Sequence, residues 1–290
     1  MPQKMYDFKP EAKHMLTFVG NGGSGKSLGA SFWPTPMYMA SCDGRLATIY
    51  NFWMNRDPNR LKEMEFDEYR ANEYDKMATF LEKIQMKNPF RTIVFDPLTM
   101  IGDMLIQYSV SQKRGGGVQM RGKVILPGPD EYKTETNGLK AMLDVGRQMK
   151  SNFILCAHIF EDIYYEIGQE KPRITRKLLT AGKQPAAMIP GMFDEVWLFT
   201  VVPGAVVGEK PTHKVITRPT IEFLTLRTSA DLPMEITWTN KDKQPMDLYA
   251  LTKNQLDKSA VERARREQTE DPSKVIPFQP PTVPPTTNQP

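Results

Sequence analysis

The stretch that decides the fold is GNGGSGKS, Gly20–Ser27. Gly20, Gly25, Lys26 and Ser27 match the spacing G-x-x-x-x-G-K-[ST], in which glycines let consecutive backbone N–H groups turn inward around an anion. On that spacing Gly20, Asn21, Gly22, Gly23, Ser24, Gly25, Lys26, Ser27 and Leu28 form a candidate nucleotide-binding set. Lys26 is the residue expected at the β and γ phosphates, and Ser27 the hydroxyl expected on Mg²⁺. A helix opening there would aim its positive end at the anion. The apolar run HMLTFVG, residues 14–20, leads into the loop and reads as a buried strand, so the local order is strand, loop, helix.

Outward from the loop, short apolar runs alternate with longer stretches of helical spacing. Residues 36–42, 91–97, 152–158, 194–202 and 220–228 read as further strands, and residues 67–85 and 130–150 as helices with acids early and Lys or Arg late. This alternation predicts an α/β fold with a mainly parallel central sheet flanked by helices. The 290 residues, 40% hydrophobic and 25% charged, suffice for one large domain, expected over 1–248. A charged helix is expected over 249–270. Residues 271–290 contain seven prolines and read as a disordered tail, because such a composition buries too little apolar surface to offset chain entropy.

The net charge of +4, from 38 basic and 34 acidic residues, does not by itself point to nucleic acid. The two cysteines, Cys42 and Cys156, lie in apolar runs and read as buried thiols rather than a disulfide framework. No run approaches the roughly 20 apolar residues that span a bilayer, and the first residues carry no apolar leader core. These features predict a cytoplasmic protein, in the host cytoplasm if it is phage-encoded, with no membrane partner.

A phosphate loop of this kind needs a second acid to hold its metal, at the end of a buried strand. TIVFDP supplies Asp96, so Ser27 and Asp96 are the candidate Mg²⁺ residues. Pro97 follows Asp96, so no adjacent acid pair is present and the water-activating acid must come from elsewhere. The nearest text to a guanine-reading N-K-x-D motif, Asn240 to Lys243, has its acid one place early, which argues against guanine specificity.

At this point the chain, from about Thr17 to Arg227, resembles the RecA-type (ASCE) recombinase core, and most closely the compact phage-type RecA-like ATPases associated with single-strand annealing. The resemblance implies a catalytic acid just past the second strand, where SCDGRL supplies Asp43. It implies a third-strand motif, matched by Asp96 and Thr99 in FDPLT, and a polar sensor of the γ-phosphate after the next strand, where LCAHIFED supplies His158. It further implies ATP and Mg²⁺ as cofactors, assembly into a homo-oligomer, and a basic residue reaching the neighbouring subunit's γ-phosphate, for which Arg218 is the first candidate and Lys214 the second. The catalytic set is therefore Lys26, Asp43, Asp96, His158 and Arg218. Two departures matter. Asp43 is one methylene shorter than the Glu usual there, which implies slow or unproductive hydrolysis, and His158 replaces an amide, which makes its phosphate contact depend on protonation.

Two basic stretches fall where the family binds DNA. The first, residues 111–132, flanks three glycines with Lys113, Arg114, Arg121 and Lys123; the second carries Lys171, Arg173, Arg176, Lys177 and Lys183, beside Tyr164 and Tyr165. Single-stranded DNA is the expected partner, in recombination or annealing, with hydrolysis stimulated by DNA. The Pro-rich end is a candidate tether to a single-strand-binding protein. Two other readings stay open: a P-loop small-molecule kinase with RITRK, residues 173–177, as lid, and a nucleotide-gated assembly or scaffold protein that hydrolyses little.

Overall fold

The computed structural model describes residues 13–112, 120–121, 124–125, 127–165, 173–206, 209, 211–239 and 247–269. Chain order begins β1 (Met15–Gly20), α1 (Lys26–Ala30), β2 (Met37–Ser41), α2 (Ala47–Arg56), α3 (Pro58–Leu61), β3 (Met64–Glu68), α4 (Tyr74–Met86), β4 (Thr92–Asp96) and α5 (Leu98–Gln112). It continues with the two-residue strands β5 (Met120–Arg121) and β6 (Val124–Ile125), then α6 (Pro129–Gln148), β7 (Asn152–Ala157), β8 (Ile159–Tyr164), β9 (Arg173–Leu178) and α7 (Lys183–Met188). After a 3-10 turn at Ile189–Met192 come β10 (Glu195–Val202), β11 (Thr212–Ile216), β12 (Glu235–Thr239) and α8 (Leu248–Thr269).

One sheet holds the order β12-β11-β10-β1-β7-β4-β2-β3. Six strands from β10 to β3 run parallel, while β11 and β12 add on antiparallel, so the expected α/β fold with a mainly parallel central sheet is what the chain adopts. One strand, β7, separates the loop-bearing β1 from β4, which ends in Asp96. β1, β2 and β7 are buried along their whole length, as strands covered on both faces must be.

Side chains that point alternately to the two faces of the sheet feed two cores. Met15 and Val19 of β1 join Tyr38, Phe95, Leu139 and Phe153 on one face, packed by α4, α5 and α6. Leu16 and Phe18 join Trp33, Trp53 and Trp197 on the other. There Phe18 stacks on Trp197 with ring centroids 5.6 Å apart and meets the edge of Trp33 at 5.2 Å. Helix α8 closes this second face with Leu248 and Leu256, and its Ser259 hydroxyl donates to the Ser229 carbonyl. Its first turns are thus part of the core rather than an appendage. Both cysteines are free and buried, and burial pushes the Cys42 thiol up to about 12. Among the described residues no helix is long and apolar enough to cross a membrane.

Two expectations are corrected. Residues 220–228 form no strand: only Arg227 bridges, to Val196, while Thr220 and Phe223 exchange backbone hydrogen bonds in a tight turn. The buried residues there, Phe223 and Leu226, are three apart, with Ile221 and Leu224 exposed, a spacing that no two-residue strand repeat satisfies. The sheet is instead extended by β11 and β12. Residues 67–68 belong to β3, in register with Ala40 and Ser41 of β2, so helix α4 starts at Tyr74 rather than at 67. As an edge strand β3 carries MEFDE, largely exposed, which hides its strand character in a run of charge.

Candidate functional site

Parallel strands deliver their C-terminal ends to one edge of the sheet, and ligand sites of open α/β sheets lie outside that edge. Here the edge holds the phosphate loop after β1, Asp43 after β2, Asp96 at the end of β4 and His158 after β7. These residues line a single cleft of about 460 Å³, whose walls include residues 22–29, Asp43, Asp96 and His158. That volume suits a nucleotide-sized ligand.

Glycine geometry builds the floor. Gly23 and Gly25 take φ of 76° and 95°, in the left-handed region that residues with a Cβ rarely adopt, and Gly25 forms the N-cap of α1. The Lys26 ammonium is buried and donates to the carbonyls of Gly20, at 2.9 Å, and Asn21, at 2.8 Å. Burial lowers its pKa, against the opposing pull of Cys156, Asp96 and Asp43. A buried cation held by two carbonyls and, at 3.5 Å, the Ser24 hydroxyl has much to gain from an incoming phosphate.

Ser27 and Asp96 line the same cleft, which brings the loop and the end of β4 together across the intervening strand. Burial raises the Asp96 pKa; Asp43 adds to the rise, while the Ser27 hydrogen bond, Lys26 and His158 oppose it. A hydroxyl and a carboxylate presenting hard oxygens together fit Mg²⁺. The pKa of His158 is lowered by burial first and by Lys26 second, against the raising influence of the Gly20 backbone, Asp96 and Asp43, which favours the neutral imidazole at pH 7.

Asp43 is one-quarter exposed. Its Oδ1 accepts the Arg45 backbone N–H at 3.1 Å and its Oδ2 faces the Arg45 guanidinium at 3.6 Å. Arg45 also lines the cleft, as do Phe32, Ile49, Phe199, Leu248 and His213. The sequence reading missed all of these. Arg45 was within reach of it, two residues past Asp43 in SCDGRL. His213 was not, because it depends on β11 aligning beside β10: its Nδ1 lies 3.7 Å from where a Cβ on Gly25 would stand.

Other candidates fall elsewhere. The Thr99 hydroxyl donates to the Leu179 carbonyl at 3.0 Å and is engaged with the segment after β9. Arg218 is half-exposed, off the cleft, and donates to the Leu232 carbonyl at 3.1 Å with Asp231 at 3.6 Å. Lys214 pairs with Glu235 at 2.9 Å.

Among the basic residues, Lys113, Arg114, Lys123 and Lys171 lie outside the described residues, and Arg121 stands in the short strand β5. Arg173, Arg176 and Lys177 are on β9, which pairs antiparallel with β8 in a hairpin of its own. Two of these cations already have acids: Arg176 meets Glu161 at 2.8 Å and also Glu222, and Lys177 meets Asp162 at 2.8 Å. Tyr164 and Tyr165 at the end of β8 are 48% and 78% exposed, so neither is the core packing that aromatic pairs usually supply.

No family model matches the chain, and no curated protein matches it. Among solved structures it is similar to a prototypical ATPase from the type III secretion system of pathogenic bacteria, with 15% identity over 64% of this chain and a TM-score of 0.41. The chain spans about half of that protein, 51% of its length.

Proposed function

We propose that the chain is a Mg²⁺-dependent ATPase that binds ATP over Gly20–Ser27 and hydrolyses the bond to its γ-phosphate. The observation that carries this reading is that Ser27 and Asp96 line one cleft together with Lys26 and Asp43. Two segments about seventy residues apart in sequence meet with the donor set that a nucleotide-bound Mg²⁺ requires.

In this reading the loop N–H groups hold the phosphates, and the Lys26 ammonium exchanges the Gly20 and Asn21 carbonyls for phosphate oxygens. Ser27 and Asp96 would hold Mg²⁺, which when bound would supply Lewis-acid stabilisation of the phosphate charge. Asp43 accepts a proton from a water whose oxygen forms the new bond to phosphorus. The bond from that phosphorus to the bridging oxygen breaks, and its electron pair leaves with ADP. Neutral His158, next to Gly20, donates or accepts a hydrogen bond at the γ-phosphate without adding charge.

The finer reading names single-stranded DNA as partner, in the manner of compact RecA-like annealing proteins that work as homo-oligomers. What supports it is the position of the β8–β9 hairpin, which begins at the residue after His158, together with the exposed Tyr164 and Tyr165 and the basic residues of 113–123. The acids opposite Arg176 and Lys177 compete with a phosphate backbone for those cations. The kinase reading has less to stand on, because RITRK is a paired strand and none of its residues lines the cleft.

The test is ATP turnover with Mg²⁺, with and without single-stranded DNA, in the wild type, in Lys26→Ala and in Arg114→Ala/Arg121→Ala/Lys123→Ala. Turnover abolished by Lys26→Ala supports the ATPase, and DNA stimulation lost only in the triple variant supports the DNA partner. Turnover indifferent to Lys26→Ala would refute the site itself, whereas turnover indifferent to DNA would refute only the partner.

A further inference from the structure

Arg45 is the one arginine among the described residues that line the cleft. It follows Asp43 by two residues through Gly44, whose φ of 67° closes the turn that brings the Arg45 N–H back onto Asp43 Oδ1. The Arg45 side chain then turns its Nε to Oδ2 of the same carboxylate, so both oxygens of the proposed base are engaged, Oδ1 by the backbone N–H and Oδ2 by the guanidinium. Oδ2 is thus shared with Arg45 rather than left to a water in the cleft. The Arg45 side chain is three-quarters exposed, and among the described residues Asp43 is the acid that it meets, so it has room to swing over the cleft.

We propose that Arg45 is a catalytic residue acting within its own subunit: it leaves Asp43 for the γ-phosphate when ATP enters, and so frees the base in the same movement that brings a cation to the transferring phosphoryl group. The proposal rests on the ATPase reading above and deepens it. Its physical basis is a competition between partners. A triphosphate carries several negative charges and presents paired oxygens that match the guanidinium fork, whereas Asp43 presents one charge and one long contact of 3.6 Å. ADP, which lacks the γ-phosphate, leaves Arg45 on Asp43. In the hydrolytic step Arg45 neutralises charge developing on the γ oxygens, while the freed Oδ2 takes the water's proton. Arg218, held outside the cleft by Leu232 and Asp231, does not serve this chain's own site.

The experiment compares wild type, Arg45→Ala, Arg45→Lys and Lys26→Ala in two assays: the affinities for ATP and for ADP by calorimetric titration with Mg²⁺, and turnover. Arg45→Ala is expected to lower ATP affinity about 10- to 100-fold while leaving ADP affinity unchanged, as loss of a charge-assisted hydrogen bond to the γ-phosphate requires. Turnover should fall about 10³-fold, with Arg45→Lys intermediate. Mixing Arg45→Ala with Lys26→Ala should restore no activity, because each subunit needs both residues. Equal losses for ATP and ADP, or turnover within threefold of wild type, would overturn the proposal, as would recovery of activity on mixing. A wild type that binds neither nucleotide would instead overturn the phosphate site on which it rests. The affinity comparison decides the matter even if turnover is slow, and an unchanged melting temperature is expected for a side chain this exposed.

Discussion

Replacing Gly20 by alanine tests whether the first glycine of the loop is required by the sheet or by the phosphate. A Cβ on Gly20 would lie 2.2 Å from the Phe199 carbonyl oxygen and 2.8 Å from the Ser24 hydroxyl. The Ser24 side chain can rotate away, but the Phe199 carbonyl belongs to β10, whose Phe199 stands in register with Gly20 itself. Real Cβ contacts do not fall below 3.0 Å, so two paired central strands must part by about 0.8 Å where they are packed on both faces. Overpacking of this kind costs about 1–3 kcal/mol, and the positive φ of 155° adds backbone strain of order 1 kcal/mol. We expect Gly20→Ala to lose about 3 kcal/mol in urea denaturation, a fall of roughly 6–12 °C in melting temperature for a chain of this size. Gly22→Ala is the control: no atom lies within 4 Å of its Cβ position and its φ is not positive, so it should stay within about 0.5 kcal/mol of wild type. Gly20→Ala as stable as wild type, or Gly22→Ala equally damaged, would refute the argument.

Three further outcomes follow from buried charge. Burial raises the Asp96 pKa in the folded chain, so its ionised form weakens the fold at any pH above both values; Asp96→Asn should therefore raise the melting temperature at pH 7 by about 2–4 °C, or about 1 kcal/mol, while abolishing Mg²⁺-dependent turnover, and a lowered melting temperature would count against it. Burial and Lys26 lower the His158 pKa, so stability present above the unfolded value near 6.5 is lost as pH falls below it; melting at pH 7.5 and 5.5 should show a smaller drop for His158→Gln than for wild type. Glu135 of α6, fully buried, accepts the backbone N–H groups of Ala181 at 3.1 Å and Gly182 at 2.8 Å just ahead of α7, so Glu135→Ala should cost about 2–4 kcal/mol by chemical denaturation and Glu135→Gln clearly less. A cost below 1 kcal/mol for the alanine variant would show that water replaces the carboxylate.

The loop, the five strands β1, β2, β4, β7 and β10, helix α6 and the identity of Asp96 were legible in the sequence by itself, because each is written locally. The loop is a fixed spacing of glycines and Lys26, and fully buried strands such as MLTFVG and NFILCA are continuous apolar runs that no other burial pattern explains. Asp43 and His158 were legible only by their order after the second and fourth of those strands. Where burial was incomplete the local text misled: MEFDE hides an edge strand in charge, and TIEFLTLRT reads as a strand although Phe223 and Leu226 face inward from a turn. Only the tertiary structure decided what the charged side chains do. Arg176 and Lys177 look like free cations in KPRITRK, yet the β8–β9 register sets Glu161 opposite Arg176 and brings Asp162, diagonally across the pair, within reach of Lys177. His213 reaches the loop only because β11 pairs with β10, and Arg45 turns to Asp43 only through the backbone turn at Gly44. Apolar burial is recorded in the sequence as a periodic pattern along one segment, whereas the ion pairs of Arg176 and Lys177 depend on the register between two segments, which no single stretch of sequence contains.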